Sequence, residues 1–271
     1  MKLKQEIDEN YKKLSSYMTK NKLVLNKDKT HLLVMATSQK HRNQDNFGIT
    51  LNTGSEIIEP QETEVLLGSI ISSNLKWNTH IRDHKKSMLQ GLTSRINALY
   101  KISKIANFKS RKMLANGIFM SKLIYLIQLW GGTSEYLLTF LQKIQNRAAR
   151  SVTKLDWYTS TETLLTQCGW LSVRQLIAYH SLLQVFKVKK DKFPGFLNKK
   201  FSQQFTYGTR LAAGNGIKLN KVIHTQLGKQ NFSNRTVHLW NQLPLDIRQS
   251  RTLPIFKAKL KKWTKSNIAL N

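Results

Sequence analysis

The 271-residue sequence has only one cysteine, Cys168, and only four prolines. A single cysteine excludes an internal disulfide and a cysteine-rich zinc site, and it suits a reducing compartment. The scarcity of proline, together with the lack of low-complexity tracts, argues against a long disordered linker. No run of about 18 apolar residues occurs, so we expect no membrane span.

Acidic residues are scarce beyond position 64. Residues 1–64 carry ten Lys/Arg and nine Asp/Glu, whereas residues 65–271 carry thirty-four and six, a net charge of +28. Such a domain repels itself unless a polyanion neutralises it, and nucleic acid is the commonest polyanionic partner. A lysine-rich solvated face is the alternative, although the acidic residues that usually balance such a face are missing. The charge favours the nucleus or a cytoplasmic ribonucleoprotein particle.

The acidic residues also give no pattern for a catalytic metal site. No two of the seven aspartates are adjacent, whereas two-metal phosphoryl transfer needs carboxylates that converge on ions about 3.5–4 Å apart. The densest acidic cluster, within residues 56–64, is explained by a solvated strand edge. His80 and His84 are four residues apart and can place two ligands on one helix face, but no third ligand is evident. We therefore predict that this chain binds no metal.

Hydrophobic periodicity predicts an α+β fold that begins with a small β-layer and one helix, residues 1–78. Apolar residues at spacings of three and four predict a helix over residues 3–20, and Asn21 is the expected left-handed residue at its end. Alternating or apolar runs predict short strands at residues 31–36, 47–51, 57–58 and 64–71.

The remainder is predicted to be helical. Residues 79–189 should form one helical domain, whose first stripe is Ile81, Met88, Leu92, Ile96 and Leu99. Further helices are expected at about 113–131, 134–154 and 161–167 and from Ser172 onward. Residues 190–271 should form a basic extension, irregular to about position 230 and then helical on either side of Pro244.

Several sequence blocks occur in the order found in one protein family. LLGSII at 66–71 and LKWNTHI at 75–81 resemble the palm–thumb junction in reverse transcriptases of non-LTR, LINE-type retrotransposons. NKLVLNKDKT at 21–30 resembles the segment after the catalytic hairpin, and LQKIQNRAAR at 141–150 resembles the thumb signature. CGWLS at 168–172, RTVHLWNQLP at 235–244 and FKAKLK at 256–261 resemble blocks beyond the thumb.

This resemblance implies a template–primer-binding fragment of an RNA-directed DNA polymerase. Its partners would be an RNA template, an RNA–DNA hybrid or a DNA primer, together with the rest of the polymerase. In the family, the catalytic aspartates lie upstream of a segment like residues 1–30, and this sequence does not supply them. Mg²⁺ is therefore expected only in the full-length polymerase, and this chain should not extend a primer by itself.

The resemblance also suggests roles for residues near the junction. Lys29 matches the late palm lysine that protonates the departing pyrophosphate. It would be a general acid without the metals and the nucleotide site that it needs for this role. The alternative is an ordinary surface lysine. Leu67, Gly68, Trp77 and His80 resemble the hairpin that grips the primer end. Glycine allows close approach of a sugar-phosphate chain and an aromatic ring can stack. Trp77 could instead seal the joint between strand and helix.

The polar side of the third predicted helix is the strongest nucleic-acid candidate. Its cations can straddle successive phosphates, and its amides can reach sugars or base edges. The residues expected there are Lys143, Gln145, Asn146, Arg147, Arg150 and Lys154, with Lys85, Lys86 and Arg95 added by the same reasoning. A solvated face is the alternative for each single charge.

Two further interpretations remain open. The chain could be a stand-alone nucleic-acid-binding protein derived from such an element, which should show no preference for hybrids or primer ends. It could also be a non-functional relic, in which case the truncated β-layer should leave strand edges and apolar faces uncovered.

Overall fold

The computed structural model describes residues 2–37, 39–40, 48–54, 56–190, 201, 216–218 and 225–270. The chain divides into two compact units, Met1–Ser87 and Met88–Asn271. The α+β prediction is confirmed, because short strands occur in the first unit and helices make up most of the chain. Among the described residues, no helix combines the length and apolarity needed to cross a bilayer.

The first unit opens with helix α1, Lys2–Lys20, at the position that its apolar spacing predicts. The residue that ends the helix is Lys22, with φ 56°, rather than Asn21. The amide of Leu23 then donates back to the carbonyl of Met18 at 2.9 Å. Because Lys22 is the left-handed residue that this bond encloses, the predicted helix end at Asn21 is wrong by one residue.

The strands of the first unit form two small antiparallel hairpins. Strand β1, Leu51–Asn52, pairs with β2, Ile57–Ile58, and strand β3, Thr63–Leu66, pairs with β4, Ser69–Ser72. The single strand predicted over residues 64–71 is wrong, because the chain turns back between β3 and β4. Leu67 and Gly68 both have positive φ, 49° and 76°, as a two-residue hairpin turn of the primed type requires.

Two other predicted strands differ from the structure. Residues 31–36 form no strand: they make an isolated parallel bridge between Leu32 and Pro60, and the amide of Ala36 donates to the carbonyl of Ser73. The strand predicted over this segment is therefore wrong. The strand predicted over residues 47–51 lies partly outside the described residues, and only Leu51 belongs to β1.

The second unit begins with a helical bundle. Its elements are α2 (Met88–Ser103), α3 (Phe108–Leu114), a π-helical segment (Ala115–Met120), α4 (Ser121–Ile124), α5 (Ile127–Trp130), α6 (Glu135–Thr153), α7 (Thr161–Cys168) and α8 (Val173–Lys189). The predicted stripe is buried from Met88 to Leu99, and Ile81 is buried in a π-helical turn, Thr79–Asp83, of the first unit. The helix predicted to end near 131 is interrupted, because Leu126 adopts φ 52°.

The helix ends of the bundle follow local sequence rules. Lys154 closes α6 in the left-handed conformation at φ 60°, and Gly169 closes α7 at φ 67°. Ser172 and Gln175 form a reciprocal capping box at the start of α8. These ends fix the α6–α7 and α7–α8 connections, and the first of them begins with Lys154 and Leu155, which line an open groove.

The C-terminal helices share a core with α8. They are α9 (Gln226–Gln230), α10 (Phe232–Gln242), α11 (Leu245–Arg248) and α12 (Leu253–Asn267). The rings of Phe186 and Phe256 stack at 4.1 Å, and the fully buried Trp240 lies 6.1 Å from Phe256. This shared aromatic core joins the described C-terminal helices to α8 within the second unit, and the chain divides into its compact units after Ser87. The boundaries expected after positions 78 and 189 stay predictions. Most of the irregular segment predicted over 190–230 lies outside the described residues.

Candidate nucleic-acid interface

The second unit carries most of the positive charge. Residues 88–271 contain thirty Lys/Arg and five Asp/Glu, a net of +25. Two of the five acids are already paired with cations: Glu135 contacts Arg174, and Asp246 lies 3.0 Å from Lys259. Few acids therefore remain to neutralise the exposed cations of this unit.

Three exposed cations lie on α6 or directly after it. Lys143 and Arg147 lie on the helix, four residues apart and therefore on one face, and Lys154 is the left-handed residue that ends it. Asn146 and Arg150, which were predicted on the same face, are half buried. The three cations are therefore the most exposed part of the predicted stripe.

Gln145 is the clearest departure from the sequence prediction, because its side chain is fully buried at 0% exposure. Its Nε2 donates to the carbonyl of Leu171 at 2.9 Å, and its Oε1 accepts from Nε2 of Gln142 at 3.0 Å. Gln142 in turn accepts the amide of Val173 at 2.9 Å. These amides attach α6 to the start of α8. Gln145 therefore cannot contact a nucleic acid, contrary to the expectation.

Asn146 and Arg150 hold the connection between α6 and α7. Nδ2 of Asn146 donates to Oγ1 of Thr161 at 2.7 Å. The guanidinium of Arg150 donates to the carbonyls of Asp156, Trp157 and Thr159, at 3.3, 2.6 and 3.4 Å. Both side chains thus stabilise this loop, and only their half-exposed edges remain for a ligand.

An open groove of 510 Å³ runs between α2 and α6. Its described lining contains four cations and no acid: Ile96, Asn97, Tyr100, Ser103, Lys104, Arg147, Arg150, Ser151, Lys154 and Leu155. The ammonium of Lys104 lies 5.8 Å from the ring centroid of Tyr100, within cation–π range. Cations and neutral polar groups without acids suit a phosphodiester backbone.

The remaining predicted cations lie elsewhere. Arg95 is half buried on α2, and its Nη1 donates to the carbonyl of Gly91 at 2.8 Å. Lys85 and Lys86 are exposed in the first unit. Arg111, a further basic residue of the second unit, is buried and donates to Val152 and Ala106 at 2.7 Å. It therefore caps helix ends and does not meet solvent.

The candidate primer-grip residues fall into two groups. His80 is buried, and its Nδ1 accepts the amide of Ile70 at 3.2 Å. The half-buried ring of Trp77 packs edge to face on His80, with the centroids 5.9 Å apart. This packing supports the alternative in which Trp77 seals the junction. Leu67 and Gly68, in contrast, lie exposed at the tip of the β3–β4 turn.

Lys29 is exposed at the end of a short 3₁₀ turn, Lys27–Lys29, and its amide is bound by Oδ1 of Asn26 at 3.1 Å. In the part of the chain that the structure describes, no three His, Cys, Asp or Glu side chains come together as a metal ion requires. The residues present do not fit a two-metal polymerase site.

The groove contains two residues that the sequence analysis did not select, Tyr100 and Lys104. Tyr100 lies on α2 and Lys104 in the turn directly after it, four residues further on, and both are exposed. Their spacing places them on one face, which the sequence could have shown. That this face meets Arg147 and Lys154 depends on the packing of α2 against α6, which periodicity alone does not reveal.

Comparisons with protein-family models, with curated proteins and with solved structures found no match to this chain. The geometry of the groove, the charge of the second unit and the sequence resemblance are the features that bear on function.

Proposed function

We propose that the second unit binds nucleic acid through the α2–α6 groove, as the template–primer-holding part of a LINE-type reverse transcriptase. The observation that carries this proposal is the groove itself: four cations and no acid among its described lining residues, within a unit of net charge +25. The proposal assigns no polymerase chemistry to this chain, because the resemblance leaves the catalytic aspartates outside it.

The dimensions of α6 are consistent with contact along a strand. Arg147 lies six residues before Thr153, the last residue of α6, so the part of the helix that lines the groove is about 9 Å long. A nucleic-acid strand advances about 3.4 Å per phosphate along a duplex. The groove can therefore follow about three phosphates, with Arg147 near one end and Lys154, directly after the helix, near the other.

The first unit has features of a surface that packs on another protein segment. None of the described side chains of α1 is buried, and Leu14 and Tyr17 are exposed on it. Val24, which follows α1, is 94% exposed. Exposed apolar surface of this extent marks an interaction site or an uncovered fold. We propose that the rest of the polymerase covers it, whereas the relic interpretation leaves it uncovered.

Binding to a labelled RNA–DNA hybrid tests the proposal. Arg147→Gln combined with Lys154→Gly removes two groove cations, and it should weaken the affinity at least tenfold at low salt. The matched control is Lys4→Gln combined with Lys13→Gln, which removes the same charge from exposed positions on α1. Equal losses in the two double variants would show that only net charge matters.

The choice of nucleic acid separates the remaining interpretations. Tighter binding to the hybrid or to primer ends than to duplex DNA of equal length supports the template–primer function. Equal affinities support the stand-alone binder. Mg²⁺-dependent extension of a primer by the purified chain would contradict the proposal that it is inactive alone, and non-cooperative unfolding would favour the relic.

A further inference from the structure

The loop between α6 and α7 exposes two large aromatic rings. Trp157 is 82% exposed and Tyr158 is 73% exposed. Their ring centroids are 6.2 Å apart and the ring planes meet at 83°. The hydroxyl of Tyr158 donates to the carboxylate of Asp156 at 2.9 Å, which restrains its ring. Burial in a core does not explain aromatic surface held this far into solvent.

The backbone of this loop is fastened to the groove. Arg150, which lines the groove, donates to the carbonyl of Trp157 at 2.6 Å and to that of Thr159 at 3.4 Å. Lys154 and Leu155, at the start of the same loop, also line the groove. The segment that carries the two rings is therefore held at the border of the cationic groove.

A third exposed ring lies on the α2 side. Tyr100 lines the groove, is 61% exposed, and has the ammonium of Lys104 over its ring at 5.8 Å. Cations that follow a backbone, combined with aromatic rings that accept base faces, are the features by which proteins hold single strands. A duplex keeps its base faces stacked internally, so it can use only the cations.

We propose that Trp157 and Tyr158 form a stacking platform for unpaired bases of a strand whose phosphates lie in the α2–α6 groove. This inference rests on the proposed nucleic-acid function and specifies its ligand as a single strand or a single-stranded overhang. The carboxylate of Asp156, next to the platform, accepts the hydroxyl of Tyr158. The groove lining itself remains free of acids among its described residues.

The test compares a labelled 12-nucleotide RNA with an abasic strand of the same length and charge. The base-containing strand should bind roughly tenfold more tightly, the order that stacking of one base contributes. Trp157→Ala should remove most of this difference, the remainder being due to Tyr158, and Trp157→Phe should preserve most of it. Neither variant alters the backbone carbonyl that Arg150 contacts. Thermal melting should show both variants folded, because the side chain is exposed.

The outcomes separate this inference from the proposed function. If the abasic strand binds as tightly as the RNA, and Trp157→Ala changes neither affinity, the platform is wrong while the cationic groove stands. If neither strand binds at low salt, the groove proposal fails as well. A decrease in tryptophan fluorescence that occurs with the RNA but not with the abasic strand, and that is lost in Trp157→Phe, would place bases on the ring.

Discussion

Nε2 of Gln145 lies 2.9 Å from the carbonyl oxygen of Leu171, inside the second unit. This bond belongs to a set of buried amides that includes Gln142 and the amide of Val173. Buried polar groups must find partners, since an unsatisfied one is costly. The amide side chains of Gln142 and Gln145 therefore attach α6 to the start of α8, and the exposed cations remain as the surface that can contact a ligand.

Gln145→Leu should destabilise the protein by about 1–3 kcal/mol, because the carbonyl of Leu171 and the amide of Gln142 lose a partner in a buried site. Urea unfolding followed by circular dichroism measures this loss. The control Lys143→Gln changes an exposed residue two positions away and should leave the stability within about 0.5 kcal/mol. A stable Gln145→Leu variant with weakened nucleic-acid affinity would contradict the structural role.

The variant Lys154→Gly removes the charge of this residue and keeps its left-handed backbone conformation, so the two effects can be measured separately. Lys154 has φ 60° and donates its amide to the carbonyl of Arg150 at 2.8 Å. Glycine adopts this conformation more readily than lysine, so the variant should be as stable as the wild type or more stable by about 1 kcal/mol. Its nucleic-acid affinity should fall nevertheless, and equally in Lys154→Gln. An unchanged affinity in both variants would remove Lys154 from the interface.

His180 should make the stability decline in acid. Burial, followed by the positive charges of Lys187 and Lys257, lowers its pKa below the ordinary value of 6.5. As the pH drops below about 6.5, the imidazole of His180 therefore binds a proton in the unfolded chain but not in the folded chain, and the free energy of unfolding falls. The fall continues until the folded-state pKa is reached. Urea unfolding at a series of pH values should show a smaller acid-side decline in His180→Gln, and an identical decline would contradict this assignment.

Cys168 should report the unfolding of the second unit. Burial raises the pKa of its thiol from 9.0 to about 11, and the nearby Lys112 opposes this shift. At pH 8 the buried thiol is protonated and poorly nucleophilic, so a thiol reagent should react only as fast as the chain opens. The matched control, Thr166→Cys with Cys168→Ser, has its thiol at an exposed position and should react at once. Fast labelling of folded wild-type protein would contradict the burial.

The sequence predicted the elements that local rules decide. Helix α6 lies within one residue of its predicted bounds, because Ser134 and Lys154 mark its ends and a regular apolar stripe defines its inner face. The β3–β4 hairpin was missed because its turn begins with Leu67 in a conformation that leucine rarely adopts. The break at Leu126 has the same cause.

The candidate site was predictable only in part. The exposed cations of α6 follow from helical periodicity. The burial of Gln145 and the engagement of Arg150 do not, since their partners, Leu171 and the 156–159 loop, reach α6 only in the folded chain. The participation of Tyr100 and Lys104 likewise depends on tertiary packing.

We propose above that the positive charge of the second unit holds a polyanionic strand in the α2–α6 groove. The measurement that tests this is the affinity for an RNA–DNA hybrid at a series of salt concentrations, for the wild type and for Arg147→Gln. We expect a steep wild-type slope of log K against log salt, corresponding to several released counterions, and a slope shallower by about 1 in the variant. A wild-type slope near zero, or the same slope in both proteins, would contradict it.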